Sequence, residues 1–372
     1  MSHIDDLIAE HCPDGVEFKT FKELFGSIPR GRRLTKSSLS ADGTIPVYHG
    51  GLEPIGHHDQ ANTPGETVMI INTGASSGFV GWSGVPFWCS DGCFALPHSE
   101  RVLPRYLYHY AVANSKFFVG RVRRAGIPTL AADAVLKMEV PIPPLEVQRE
   151  IVRILDQFTA LEAELEAELE ARRRQYEHYL HAAILPDDDL EWTTLGDATS
   201  NHDRKRKPVT RSDRKVGEFP YYGANGIQDY VHDFIFDGTF LLVGEDGSVK
   251  NANGTPVLNW ASGKIWVNNH AHVLTASSEQ FSLRYLYYFL ATVDVTTYVT
   301  GGTQPKINQK NLNSIPVPVV SRDFQDKVVE MLDRFDALVN DLSSGLPAEI
   351  AARRKQYEYY RDKLLTFKEL SA

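Results

Sequence analysis

The chain has 372 residues, 42% of them hydrophobic, with 39 Lys and Arg against 48 Asp and Glu and a net charge of −9. That length allows two or three domains. No apolar run approaches the roughly 20 residues that span a bilayer, and MSHIDDLIAEHCPDGVEF at the start has neither the basic nor the apolar stretch of a signal peptide. The negative charge argues weakly against nucleic acid, because distribution matters more than the sum. The three cysteines suit a reducing cytoplasm; Cys89 and Cys93 are four apart with no second pair to complete a zinc set, so they read as structural.

Taken in order, residues 1–143 read as a mixed α/β (α+β) globular unit. PRGRRLTK at 29–36 contains no acid and offers Arg30, Arg32, Arg33 and Lys36. The β-branched run at 67–71 reads as a strand and opens into NTGASSG at 72–78, which carries Ser76 and Ser77. RYLYHYAV, from Arg105, reads as a short buried helix. The acid-free stretch 101–132 adds Arg121, Arg123, Arg124 and Thr129. VPIPP at 140–144 reads as stiff extended chain, since proline suits neither a helix interior nor a central strand.

Residues 144–185 read as one long helix. Ile151, Leu155, Phe158, Leu161, Leu165 and Leu169 recur every three or four residues and form one apolar stripe. Good helix formers lie between them, and no Gly or Pro interrupts. About 40 residues at 1.5 Å each give a rod of roughly 60 Å, long enough to call for a coiled-coil-like partner. The tetrapeptide AELE occurs at 163–166 and again at 167–170. Its glutamates read as a solvated face.

The polar PDDDLE at 186–191 reads as a linker into a second globular unit, 186–320, that repeats the first. EFKTF at 17–21 resembles EWTTL at 191–195, IPVY at 45–48 resembles FPYY at 219–222, RYLY recurs at 105–108 and 284–287, and VPIP at 140–143 resembles IPVP at 315–318. The offset stays at roughly 175–180 residues, a tandem duplication. The second basic stretch, 203–215, offers Arg204, Lys205, Arg206 and Lys207. Tyr222, Asn225 and Lys250 lie in or near loops, and GGTQPK at 301–306 offers Thr303, Gln304 and Lys306. Basic patches suit phosphates, and Asn, Gln, Arg, Lys, Ser and Thr are the side chains that read base edges. Residues 321–372 repeat the long helix, with a break expected near 345–347 at Gly345 and Pro347. Two such helices after two such units would pair antiparallel with pseudo-twofold symmetry.

Catalytic signatures are missing. There is no phosphate-binding Walker loop, no GxGxxG after a strand, no GxSxG elbow and no HExxH. A metal-dependent hydrolase or nuclease using His270, His272 and Glu245 or Asp246 stands as the alternative, and a helical adaptor as a third reading.

HCPDGVEF at 11–18, PLEVQ at 144–148, the two RR(R/K)QYE segments and GGTQP at 301–305, on this duplicated layout, resemble the specificity subunits of type I restriction-modification systems. The resemblance implies two target-recognition domains, each reading half of a split site in double-stranded DNA. It implies two helical regions that form an antiparallel spacer and bind modification (methyltransferase) subunits, two of them, with restriction or motor subunits as further partners. AELE-AELE looks like the family's spacer-length element. On this view Gln148, Arg172, Arg173, Tyr176, Gln325, Arg353, Arg354 and Tyr357 are candidate partner-binding residues, and the chain has no catalysis or cofactor of its own. VVSRDFQ at 319–325 departs from the proline-rich helix entry of the first copy, which bears on where the second helix starts.

Overall fold

The computed structural model describes residues 2–186, 190–341 and 343–370, without the side chains of Ser2 and Lys36. Lys36 as a DNA-binding candidate and residues 187–189 of the expected linker therefore lie outside what is described. The chain forms two compact units, residues 1–166 with 350–372, and residues 167–349. Each unit thus holds one globular repeat together with parts of the helical regions.

The first unit begins with α1 (Ser2–His11), β1 (Glu17–Thr20) and α2 (Phe21–Phe25). A capping box starts α2: Thr20 N donates to the Glu23 carboxylate (2.7 Å) and Glu23 N to Thr20 Oγ1 (3.2 Å). Six short strands follow, β2 (Ile45–Tyr48), β3 (Gly56–His58), β4 (Thr67–Ile71), β5 (Val80–Ser83), β6 (Trp88–Cys89) and β7 (Cys93–Ala95). They make two three-stranded sheets, ordered β3-β2-β6 and β5-β4-β7. Helices α3 (Pro104–Ala113), α4 (Ser115–Val119) and α5 (Ala132–Val135), strand β8 (Glu139–Ile142) and the long α6 (Leu145–Ala183) complete the first half. The prolines at 141 and 143 were expected only to stiffen the chain. In fact β8 pairs antiparallel with β1, Pro141 opposite Phe18. A two-stranded ribbon leaves each strand an outer edge, where a missing N–H breaks no ladder.

The second half repeats this order: β9 (Glu191–Thr194), α7 (Leu195–Ala198), β10 (Thr199–Asn201), β11 (Val216–Gly223), β12 (Gly226–Val231), β13 (Phe236–Gly244), β14 (Leu258–Val267), β15 (Ala271–Ala276), α8 (Leu283–Leu290), α9 (Gln309–Asn313) and β16 (Pro316–Val319). Its strands are longer and fuse into one sheet, β10-β15-β13-β14-β11-β12. The register confirms the duplication. β2 runs parallel to β6 with Val47 beside Trp88, and β11 parallel to β14 with Tyr221 beside Trp266. Trp88 Nε1 donates to Arg32 O (2.7 Å), and Trp266 Nε1 to Lys207 O (2.6 Å).

The second helical region is two helices, α10 (Arg322–Asn340) and α11 (Leu346–Leu365). The break falls a few residues before Pro347, which sits in the first turn of α11, where its missing N–H costs nothing. Asp341 ends α10 instead, accepting from Ser343 N (2.7 Å) and Ser343 Oγ (2.6 Å). These serine hydrogen bonds push its carboxyl down to about 2.

In each unit one globular repeat is bracketed to the helix that follows it. Buried Gln148 accepts from Leu103 N (2.8 Å) and donates to Arg101 O (2.9 Å) and Pro143 O (2.8 Å). Buried Gln325 repeats the bracket with Ser282 N (2.7 Å), Gln280 O (2.8 Å) and Val320 O (2.9 Å). Neither glutamine faces outward for a partner subunit, as the resemblance had implied, because every polar atom of the two amides is used inside its own unit. A second bracket lies about two to three turns further along each helix. Arg105 and His109 of α3 both contact Asp156 of α6 at 2.8 Å, with the Arg105 guanidinium over the Trp82 ring at 4.9 Å. In the other unit Arg284 meets Asp333 (2.7 Å) and Asp336 (3.2 Å), lies over Trp260 at 4.9 Å, and Tyr288 donates to Asp333 (2.5 Å).

His109 thus stands where the second unit has a tyrosine, and this makes the first bracket acid-sensitive. Burial pushes the His109 pKa down, with the Asp156 hydrogen bond opposing it only in part. Its Nδ1 has no hydrogen-bond partner, as suits a neutral ring donating from Nε2. A folded pKa below the unfolded value of about 6.5 gives stability that is complete above the unfolded pKa and lost as pH falls through it towards the folded value. We expect the melting temperature to fall on going from pH 7 to pH 5 by less in His109→Tyr than in wild type. An equal fall in both proteins, measured by calorimetry, would assign the acid sensitivity elsewhere.

Candidate nucleic-acid interface

Three segments converge in the first unit, and hydrogen bonds along the main chain hold them. Loop 72–78 leaves β4, segment 89–93 joins β6 to β7, and loop 123–130 follows α4. Asn72 N donates to Gly92 O (3.1 Å), Leu130 N to Asn72 O (2.8 Å) and Gly74 N to Pro128 O (3.0 Å). The basic segment 29–36 is drawn against them, with Arg32 N donating to Cys89 O (3.1 Å). Gly31 passes so close that a Cβ there would lie 2.0 Å from Ser90 O, which only glycine permits. The segments enclose a cleft lined by Arg30, Arg33, His49, Asn72, Thr73, Asp91 and Thr129.

The same frame recurs in the second unit. Glu245 N donates to His270 O (2.8 Å), Ile307 N to Glu245 O (2.8 Å) and Gly247 N to Pro305 O (3.0 Å). Its side chains differ. Here Arg206 pairs with Glu245 (2.5 Å) and Asp203 (3.3 Å) and donates to Ala271 O (2.7 Å), while Lys306 reaches Glu245 (3.0 Å). His272 is fully buried, with Nδ1 on Asp203 (2.5 Å) and Nε2 on Ile307 O (2.8 Å). Burial tends to raise the Asp203 carboxyl, but hydrogen bonds from His272 and Val273 N and the Arg206 charge outweigh it and hold it below the usual range.

That network decides the hydrolase alternative on physical grounds. Asp203, Glu245 and His272 have ligand atoms within 4.8 Å of one another. Yet the Arg206 and Lys306 cations already neutralise the carboxylates, and both His272 nitrogens face acceptors. A metal would have to displace a buried guanidinium. His270, two residues before His272, is half-exposed and contacts Asp246 instead, so the two histidines serve different acids.

Of the sequence-derived candidates, Arg30, Arg33 and Thr129 meet in the first cleft. Arg32, Arg123, Arg124, Arg204, Lys205, Lys207, Asn225, Thr303 and Gln304 are exposed, and Ser76 and Lys306 partly so. Four candidates point inward or are held in place. Ser77 is buried and donates to Gly74 O (2.8 Å) and Pro128 O (3.0 Å). Tyr222 is buried in a core cluster, Arg206 is locked in its ion network, and Arg121 lies over the Phe117 ring at 3.5 Å while donating to Phe117 O. Lys250 contacts Thr296 Oγ1 (3.2 Å). Residue type alone does not separate an arginine that faces solvent from one that neutralises a buried acid. His49 and Asp91 of the cleft were missed, since no local motif marks them.

The partner-binding candidates divide in the same way. Arg354 of α11 is bound to Glu162 and Glu166 of α6, and Tyr357 and Tyr360 pack on Phe158 at 6.3 and 5.5 Å. These residues hold helix to helix within the first unit. Tyr176 packs against the second unit's core, Arg172 pairs with Glu168 (3.0 Å), Arg353 donates to Gln356 (3.3 Å) and Arg173 is exposed.

Comparison with known proteins agrees with this duplicated frame. The model of the type I restriction modification DNA specificity domain matches twice, over residues 13–171 and 188–352. The type I restriction enzyme EcoR124I/EcoR124II specificity subunit of Escherichia coli is 31% identical over 99% of this chain and 97% of its own length. A putative type I specificity subunit of Haemophilus influenzae is 38% identical over 50% of this chain and 49% of its own. The crystal structure of the S subunit of a type I restriction-modification system from M. genitalium has the same fold, with a TM-score of 0.67 at 19% identity over 94% of this chain and 96% of that one. Two matches to one domain model, covering most of the chain, place it in the family of type I restriction-modification DNA specificity proteins, with the specificity domain present in tandem.

Proposed function

We propose that this chain reads a bipartite DNA site for a type I restriction-modification complex, one half-site per globular repeat, across a gap of fixed length. The observation that carries this is the repeated loop frame. Two units hold the same three segments by equivalent main-chain bonds, yet present different side chains at the rim. Such a frame would let each unit dock through phosphate contacts from its exposed arginines and lysines and read a few bases through the loops. The chain itself neither methylates nor cuts. Two modification subunits, one for each repeat, dock on the helical regions and supply the methyl transfer, and cleavage belongs to further subunits. The reducing cytoplasm is the compartment where this would occur; no described helix is long and apolar enough to cross a membrane.

The test is a domain exchange. Cells would express the chain with its neighbouring methyltransferase, and with residues 16–143 replaced by those of another such subunit. Methylome sequencing should show a split motif for the wild type and a change in one half only for the exchange. A change in both halves, or no split motif from the wild type, would overturn the modular reading.

A further inference from the structure

Each repeat carries a tight hairpin at the rim of its loop frame, and the two hairpins are equivalent at their paired ends and in length, while the left-handed glycine falls third in the first tip (Gly126) and first in the second (Gly301). Arg123 N and O bond reciprocally to Thr129 (2.8 and 3.0 Å), and Thr300 N and O to Lys306 (2.8 and 2.7 Å). Five residues lie between the paired positions in each: 124–128 in the first, 301–305 in the second. The hairpins hang from the frame by the same bonds, Gly74 N to Pro128 O and Gly247 N to Pro305 O. Their burial profiles also agree, with 123–127 and 300–304 exposed and Leu130 and Ile307 fully buried. Pro128 therefore corresponds to Pro305, and Ile127 to Gln304.

These two side chains stand at the tip and could hardly differ more. Ile127 is 71% exposed, more than any other large hydrophobic side chain described in the first unit. Its neighbours are Arg123 and Arg124, in a stretch without acids. Among the described residues it belongs to neither hydrophobic cluster of the first unit. The turn is made by Gly126 at φ +80, where a Cβ would meet nothing within 4 Å, so the tip has open space around it. An exposed isoleucine three residues after a pair of arginines fits a surface that is both phosphate-rich and locally apolar. In a DNA groove the apolar feature on a base edge is the thymine 5-methyl group. Gln304, in the same position between Thr303 and Pro305, has the amide that pairs bidentately with adenine N6 and N7.

We infer that the fourth residue of this five-residue tip is a base-reading position in both repeats, with Ile127 contacting a thymine methyl in one half-site and Gln304 an adenine in the other. The inference rests on the proposed DNA-reading function and adds which residues set one base pair in each half. Neither side chain takes part in the hairpin's main-chain bonds, so exchanging them leaves the frame intact.

The experiment is methylome sequencing of cells expressing the full chain with its methyltransferase as wild type, Ile127→Gln and Gln304→Ile, with thermal melting of each purified protein as the folding control. Ile127→Gln should change the preferred base at one position of the first half-motif, away from thymine by roughly 5- to 150-fold, and leave the second half untouched. Gln304→Ile should do the reverse, moving one position of the second half away from adenine. Unchanged motifs in both variants would overturn the inference while leaving the split-site reading standing. So would a uniform fall in methylation with no base change, the mark of a merely structural role. A wild type that produces no split motif would overturn the function and the inference together.

Discussion

Deleting residues 167–170 should shorten the unread gap by about two base pairs and leave both half-motifs unchanged. Four helical residues span about 6 Å, and two base-pair steps about 7 Å. Four residues also turn the helix by about 40° beyond one full turn. Two base pairs turn DNA by roughly 70°, so a residual of about 30° falls to DNA twist or helix bending. The cut preserves the local pattern because it removes one copy of a repeat. Leu165 takes the place of Leu169, and Glu164 and Glu166 take those of Glu168 and Glu170 beside Arg172 and Arg174. The ion pairs at stake, Glu168–Arg172 at 3.0 Å and Glu170–Arg174 at 3.4 Å, are exposed and contribute little. The Arg354 contacts to Glu162 and Glu166 lie before the deletion. Methylation of the original motif should drop by about 30- to 3,000-fold, the loss of one of two half-sites from a specificity ratio of about 10³–10⁷. Retention of the original gap by the shortened protein would remove α6 as the element that sets it.

Arg206→Ala should unfold the second repeat more easily, by about 3–5 kcal/mol, or roughly 10 °C in melting temperature. Arg206 sits among Glu245, Asp203 and the Ala271 carbonyl, with its side chain only 12% exposed. Removing it leaves two largely buried carboxylates with His272 and Lys306 alone. Arg204 is the contrast, two residues away but exposed. Arg204→Ala should melt like the wild type and bind DNA more weakly, with a shallower salt dependence by about one unit of slope. Equal melting of the two variants in a thermal scan would show that the Arg206 network does not hold the fold.

Much of this architecture is legible in the chain itself. Period and composition mark α6, because an uninterrupted apolar stripe in good helix formers has no other regular solution. The duplication is legible because EFKTF, RYLY and the proline-rich strands recur at a near-constant offset. Even the equivalence of Arg105 and Arg284 is written in the repeated RYLY. What the stripe could not reveal is its partner at each point: Phe158 meets Tyr360 and Tyr357, and Glu162 meets Arg354, from a helix nearly two hundred residues away.

The basic patches show the limit most clearly. Arg30, Arg206 and Arg121 look alike in sequence, a guanidinium near other cations. Tertiary structure sends the first to a cleft, the second into a buried acid cluster and the third onto a phenylalanine ring. Gln148 and Gln325 were read as partner-binding candidates, and they are the internal brackets of strand, helix and globular repeat. The sequence by itself determined the elements, their order and their duplication, since those depend on local periodicity. Only the tertiary structure decided which polar side chains are free, because a charge or amide is committed by whichever partner the folded chain brings within about 3 Å.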